Sequence, residues 1–301
     1  MGRRGSGAGG PDGLAIVDKE PGWTSHDVVA KARGLLGTRK VGHSGTLDPD
    51  ATGVLLLGVG KVTRLLRYLS LPPKTYEGVV VLGTATSTLD ASGDVTGTWD
   101  MTGIGRAEVQ AEADRLTGDI LQVPPMVSAV QIGGRRLHEL AREGIEVERV
   151  PRPVTVHTFA VGEELAPGEL RVEVTCSSGT YVRSLAADLG TALGGGAHLR
   201  DLRRTAIGPF HVRDAVPVEA LTPEHLLAPV EALRDLAAVT ATDTVATAVG
   251  HGKVLNLEEL GASGPGPWRV VGQDGALLAV YEVHRGDTAK PSVVLAPSGP
   301  A

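Results

Sequence analysis

Hydrophobic positions change period several times along the chain, and each change marks an element. Residues 13–17 form an unbroken apolar run, as in a short buried strand. Val28, Val29, Ala32, Leu35 and Leu36 then recur at helical spacing. Thr24 and Asp27, three apart, supply a capping box for that helix, and Gly37 supplies its stop. The polar, Gly-rich stretch 39–53 reads as loop, and 54–59 as a second buried strand. Residues 62–69 return to the helical period. Residues 76–82 read as a strand after the Pro72-Pro73 break.

The Thr, Ser, Asp and Gly residues of 83–97 read as loop. Helices are expected over 106–116 and 136–142, with Pro124-Pro125 between them. Alternation predicts strands over 154–161 and 170–176, joined by a turn near Pro167-Gly168. Val182, Leu185, Ala186, Leu189 and Leu193 place a helix over 180–193, and a basic strand follows over 199–207. Near residue 235 the texture turns Ala-, Thr- and Val-rich, with short strands expected at 270–271, 277–283 and 293–295. No repeat is visible. Helices and strands interleave without a regular βαβ period, which gives an α+β fold class. The expected units are a tail over 1–11, a main domain over 12–236 and a small β-rich domain over 237–301.

Composition changes this picture little. A chain of 301 residues makes one large domain or two smaller ones, at roughly 100–200 residues each. Its 42% apolar and 21% charged shares are those of a globular protein. No run of about 18 apolar residues marks a membrane span. The N-terminal MGRRGSGAGGPDG has no apolar stretch behind its arginines, so it reads as a flexible tail and not a secretory signal. Cys176 is the one cysteine, which excludes an internal disulfide and fits a reducing cytoplasm. The nine histidines lack ligand spacing, so no metal site is expected.

Charge matters more in its distribution than in its sum of -6. Residues 1–74 carry 11 basic groups against 6 acidic, whereas 75–168 and 215–301 are both net acidic. Arg200, Arg203 and Arg204 form a second basic cluster. A nucleic-acid footprint is therefore permitted on the first quarter of the chain, where Arg39, Lys40, Lys61, Arg64 and Lys74 are placed to meet phosphates. An aromatic share of 3% argues against a platform of stacked bases.

The stretch richest in candidate chemistry is Gly42-His43-Ser44-Gly45-Thr46-Leu47-Asp48-Pro49-Asp50-Ala51-Thr52-Gly53-Val54-Leu55. It is a tight loop that leads into a buried strand. Asp48 stands just before a proline that restricts its backbone toward extended geometry. A carboxylate at the mouth of a strand suits a nucleophile or a general base. Taken singly, Asp48 equally suits an ordinary Asp-Pro turn.

This segment resembles, at every signature position, the catalytic loop of the TruB family of pseudouridine synthases. Further segments resemble that family in the same order. They are Lys74-Thr75-Tyr76 followed by Leu82-Gly83, Thr84, Thr86, Asp90 and Gly93; Gln122-Val123-Pro124-Pro125-Met126-Val127-Ser128-Ala129; and Cys176-Ser177-Ser178-Gly179-Thr180-Tyr181-Val182-Arg183. Leu189-Gly190, Leu193-Gly194, Gly196-Ala197-His198-Leu199 and Leu202-Arg203-Arg204 complete the match, and the resemblance spans roughly residues 14–236.

The resemblance implies a mixed, mainly antiparallel central sheet with flanking helices, plus a PUA-like C-terminal domain. It implies an isomerase that converts uridine 55 in the T-loop of tRNA to pseudouridine, by flipping the base and without a cofactor. Asp48 would be the catalytic carboxylate, Arg183 its partner and Tyr76 the residue against the base. Asp90 would be either a turn residue or a member of the site. His43 would lie at the RNA surface, with Lys74, Arg39, Lys40, Arg64, Arg203 and Arg204 as RNA-binding cations. A nearby guanidinium would hold the Asp48 pKa down. The implied partner is the T-arm of tRNA, met by a monomer in the cytoplasm. Gln131, His138 and Ser178 depart from the family's usual basic or aromatic residues and lower the expected RNA affinity. Two other readings remain at this point: an RNA chaperone that needs no chemistry, and a nucleoside hydrolase in which Asp50 supplies a second carboxylate.

Overall fold

The computed structural model describes residues 10–295. Most of the expected N-terminal tail, residues 1–9, lies outside the described residues, as do 296–301.

Strand β1 (Gly13–Lys19) leads to helix α1 (Ser25–Leu35), whose capping box closes as expected between Thr24 and Asp27. Strands β2 (Val41–Ser44) and β3 (Thr52–Val59) follow as a hairpin, then the short helix α2 (Leu66–Leu69) and strand β4 (Lys74–Leu82). The expected loop over 83–97 instead holds the short pair β5 (Thr84–Thr86) and β6 (Val95–Thr98). Helix α3 (Arg106–Arg115), strand β7 (Gly118–Gln122), the two-residue strands β8 (Gln131–Ile132) and β9 (Arg135–Arg136), and helix α4 (Leu137–Arg142) come next. The hairpin β10 (Arg152–Ala166) and β11 (Glu169–Cys176), helix α5 (Val182–Ala192) and strand β12 (Ala197–Ile207) complete the larger part.

Apart from the separate pairs β5–β6 and β8–β9, these strands form one mixed, mostly antiparallel sheet in the order β1-β3-β12-β4-β11-β10-β7, with β2 beside β3. The unbroken apolar run of β3 has a direct cause: both of its faces are covered. Leu55, Leu57 and Val59 meet α1 residues such as Val28 and Ala32. Val54 and Leu56 face the opposite core, with Leu277, Val280, Val293 and Leu295 from the C-terminal domain. That domain has a five-stranded sheet and its own core around Trp268 and Tyr281, yet one hydrophobic cluster continues across into the main sheet. Arg67–Glu282 (2.6 Å) and Arg64 Nη1 donating to the Val294 carbonyl (2.6 Å) fasten the same contact.

The two halves of the main sheet join where β3 runs parallel to β12, with Gly53 opposite Arg204. Gly53 has φ +100°, and a Cβ there would lie 2.2 Å from the Arg204 carbonyl oxygen. Only a residue without a side chain permits this approach. Gly53→Ala is therefore expected to lower the unfolding free energy by about 2–4 kcal/mol, through strain and overpacking together. Chemical denaturation of the two proteins measures it, and an unchanged midpoint would refute the packing argument.

Candidate active site

The β2–β3 hairpin carries the Asp-Pro loop, residues 45–51, at its tip. The expected loop over 39–53 is thus partly strand, because residues 41–44 pair with β3 from Val41 opposite Val59 to Ser44 opposite Leu56. The tip is fixed from several sides. Leu47 is buried in the main core, and its N–H donates to Ser25 Oγ at 3.0 Å. Lys19, wholly buried, donates to the carbonyls of Trp23 (2.7 Å), Pro49 (2.8 Å) and Glu20 (2.9 Å). Burial lowers the Lys19 pKa to about 8. On the other side Arg204 donates to the carbonyls of Val54 (2.7 Å), Gly45 (3.2 Å) and Thr46 (3.5 Å).

Asp48 projects from this braced tip. Arg183, in the first turn of α5 and only 3% exposed, reaches it with Nη2 at 3.0 Å from Oδ2. Arg183 Nη1 lies 3.3 Å from Asp90, and the same guanidinium donates to the carbonyls of Thr88 (2.7 Å) and Val127 (2.9 Å). Asp90 serves both readings left open for it. Its Oδ1 holds a turn by accepting from Thr88 Oγ1 and Ser92 Oγ, each at 2.6 Å, while its Oδ2 faces Arg183. Leu89 beside it has φ +63°, a strained conformation of the kind that collects at working sites.

A cavity of about 280 Å³ opens over Asp48, lined also by Tyr76, Arg183, Lys74, Arg204 and Leu202. A second cavity, of about 470 Å³, adjoins it across the Asp48–Arg183 pair and includes Asp50, Asp90 and Asp201. Tyr76 is buried on β4 with its Cα opposite that of Arg204. Burial pushes the Tyr76 hydroxyl up against the pull of Arg204, so it stays neutral. The expectation for Asp48 needs correcting. Its pKa is raised, because burial outweighs the guanidinium of Arg183 and Asp90 adds a like charge.

The basic candidates divide. Arg39 and Lys40 are exposed and have no ion-pair partner among the described residues. Arg64 spends a donor on the C-terminal domain, and Arg203 pairs with Asp18 at 2.6 Å. Lys74 and Arg204 are turned inward into the cavity wall. His43 lies half-buried on β2, edge to face with His26 at 5.2 Å, and burial lowers its pKa. No cluster of three or more His, Cys, Asp or Glu among the described residues is arranged to hold a metal. Lys19 and Ser25 were not singled out by sequence reasoning. Their weight comes from contacts to residues about twenty to thirty positions away, which no local pattern reveals.

Comparison with known proteins identifies the family. The model of the TruB family pseudouridylate synthase N-terminal domain matches residues 33–182, and that of the tRNA pseudouridylate synthase B C-terminal domain matches 183–238. The tRNA pseudouridine synthase B of Thermobifida fusca (strain YX) is 46% identical over 295 residues, covering 95% of this chain and 99% of its own. The protein of that name from Streptomyces coelicolor is 46% identical over 288 residues, covering 92% and 95%. A chain in the crystal structure of a Cbf5-Nop10-Gar1 complex superposes with a TM-score of 0.75 at 26% identity, covering 96% of this chain and 86% of that one.

Any reaction that needs Asp48 ionised should lose rate as pH falls through a value above the ordinary aspartate range. Asp90→Asn removes a like charge and leaves Arg183 to Asp48 alone. The acid limb of a pH–rate profile should then move to lower pH. A limb that stays in place or rises would reject this account of the carboxylate.

Proposed function

This chain belongs to the TruB family and is a tRNA pseudouridine synthase, and on that premise we propose that it isomerises uridine 55 in the T-loop, with Asp48 as the attacking carboxylate. The observation that carries this reading is the Asp48–Arg183 pair at the floor of a cavity walled by Tyr76. A uridine stacked in its loop cannot reach Asp48, so the base must be turned out, at a cost of about a few kcal/mol. Preformed walls lower that cost by receiving the base on the Tyr76 ring.

Arg183 keeps the carboxylate aimed and compensates its charge, with its own geometry held by Asp90 and two carbonyls. Asp48 attacks the base at C6 or the ribose at C1′, or assists elimination at the sugar. The glycosidic bond breaks, the uracil turns and C5 bonds to C1′. Such an isomerisation is balanced without a redox or phosphate donor, so no cofactor enters. His43 on β2, and Arg39 and Lys40 just before the start of that strand, are the ring and cations we assign to the T-arm. Two further basic candidates act through the structure instead: Arg64 in docking the C-terminal domain, and Arg203 in pairing with Asp18. The small C-terminal domain is assigned as PUA-like, and the protein as a monomer working in the cytoplasm.

The test is carbodiimide mapping of pseudouridine on an unmodified tRNA transcript. Wild-type protein should produce one new stop at the T-loop uridine. Asp48→Asn, of unchanged fold, should lower the single-turnover rate on the order of 10³-fold or more. A folded wild-type protein that leaves the T-loop uridine unmodified, or a mutant that still modifies it at full rate, would overturn the reading.

A further inference from the structure

Two cations in the wall of the cavity have no counter-ion among the described residues. Lys74 is 5% exposed and Arg204 is 1% exposed. Neither has a carboxylate within ion-pair distance among the described residues. Their partners are neutral: Lys74 Nζ donates to the carbonyls of Ser70 (2.9 Å) and Pro72 (3.2 Å), and Arg204 to those of Gly45, Thr46 and Val54. The two lie side by side under Gly45, where a Cβ would come 3.5 Å from Lys74 Cε and 3.6 Å from Arg204 Nη1. An ammonium has three donors, and Lys74 uses two on the protein.

Buried charge without a partner is costly, and proteins retain it where a ligand or a reaction supplies the opposite charge. The other groups facing Lys74 supply none. Cys176, on the adjoining strand, has its thiol pushed up to about 11 by burial and is neutral. Tyr76, two residues along, is neutral for the same reason. Arg183, by contrast, is matched by Asp48 and Asp90. The cavity is thus polarised, with carboxylates on the Arg183 side and unmatched cations on the Tyr76 side.

We propose that Lys74 and Arg204 stabilise the uracil anion that forms when the glycosidic bond breaks, as the electrostatic half of catalysis opposite Asp48. This rests on the functional reading given above. When C1′–N1 cleaves, the bonding pair stays with N1 and spreads to O2 and O4, while the sugar is left electron-poor at C1′. The Asp48 carboxylate compensates the sugar by bonding to C1′ or by taking up a proton from it. After the base turns, C5 donates its pair to C1′ as the Asp48–C1′ bond breaks or as Asp48 returns its proton to C2′; C5 then loses its proton, and N1 regains one. Addition of Asp48 at C6 likewise pushes a pair onto the base oxygen, so every route passes negative charge through the ring. Fixed donors and charges aimed at developing charge, in a site shielded from water, are a principal source of rate enhancement.

The test compares single-turnover consumption of uridine and of 5-fluorouridine in the same T-arm RNA, followed by nucleoside chromatography. Fluorine withdraws electrons and stabilises the base anion by itself. Because it stands on C5, where the lost proton would be, the readout for that RNA is its consumption and not pseudouridine formation. Lys74→Gln keeps a donor for the Ser70 and Pro72 carbonyls but removes the charge. It should slow the uridine RNA roughly 30–100-fold and the 5-fluorouridine RNA about tenfold less, relative to wild type. Lys74→Arg should retain most activity on both. In kcat/KM the wild type should lose rate as pH rises through about 8, where Lys74 sheds its proton, and Lys74→Arg should move that limb upward.

Equal losses on the two RNAs, or no loss on either, overturn the proposal. If Lys74→Gln does not fold by circular dichroism, an alkaline limb that is the same in wild type and Lys74→Arg overturns it. A wild-type protein that converts neither RNA overturns the functional reading itself and this inference with it. Conversion by wild type with equal losses in the variant overturns the inference alone.

Discussion

Four segments of chain meet at one guanidinium. Arg183 enters from α5, Asp48 from the β2–β3 tip, Thr88 and Asp90 from the β5–β6 turn, and Val127 from the segment before β8. An arginine this deeply buried must have its donors satisfied and its charge matched, and its planar fork allows few arrangements of the partners. Each partner is therefore placed by the others. The loops around the site have little regular structure of their own, yet they cannot shift independently without leaving a charge or a donor stranded. Removing one carboxylate keeps the cation matched, whereas removing the arginine leaves two carboxylates facing each other.

That arrangement stands on a sheet whose strand β3 is covered on both sides. Because β3 buries Leu55 and Leu57 against α1 and Val54 and Leu56 against the C-terminal layer, it cannot slip in register without moving apolar residues out of both cores. The C-terminal domain is thus a structural layer of the larger one as well as a unit with its own core. This also accounts for the fate of Arg64 and Arg67. Their position on the face of the main domain looks available for phosphate, but they are taken up in docking an acidic neighbour.

Most of the framework was legible because its causes are local. The Thr24–Asp27 cap, the apolar period of α5 and the alternation of β10 and β11 each lie within a dozen residues. Strand β2 was not legible: Gly42, His43 and Ser44 have no apolar alternation, and the strand exists because β3 offers it an edge. The same holds for β7, where Gly118 and Asp119 leave only Ile120 and Leu121 to signal a strand. Within the site, the pairing of Asp48, Tyr76 and Arg183 was legible only through the ordered set of motifs, since none of the three is distinctive alone. The direction of the Asp48 pKa was misjudged because a sequence displays a charged partner but not enclosure, and here enclosure wins. Lys74 and Arg204 were read as surface cations for a related reason. Charge can be counted along a chain, while the side to which a side chain turns depends on the sheet it joins.

The inward turn of the cations follows from a problem that the Asp-Pro loop creates. A loop led into the interior carries carbonyls that neither helix nor strand can satisfy, and each needs a donor. This chain uses cations for that purpose: Lys19 takes the Pro49 carbonyl on one side of the tip, and Arg204 takes those of Gly45 and Thr46 on the other. A neutral donor such as Asn or an ordered water would meet the same hydrogen-bonding need without adding charge. Lysine and arginine do it while surrounding a carboxylate-bearing loop with positive potential. The carboxylate pays part of this back to Lys19, whose charged form Asp48 and Asp50 favour against the burial that lowers its pKa. On the Tyr76 side there is no such carboxylate among the described residues, and positive potential is left facing the cavity. In Arg204, holding the loop rigid and polarising the cavity are therefore two consequences of one side chain, so that a substitution there must be judged by chemistry as well as by stability.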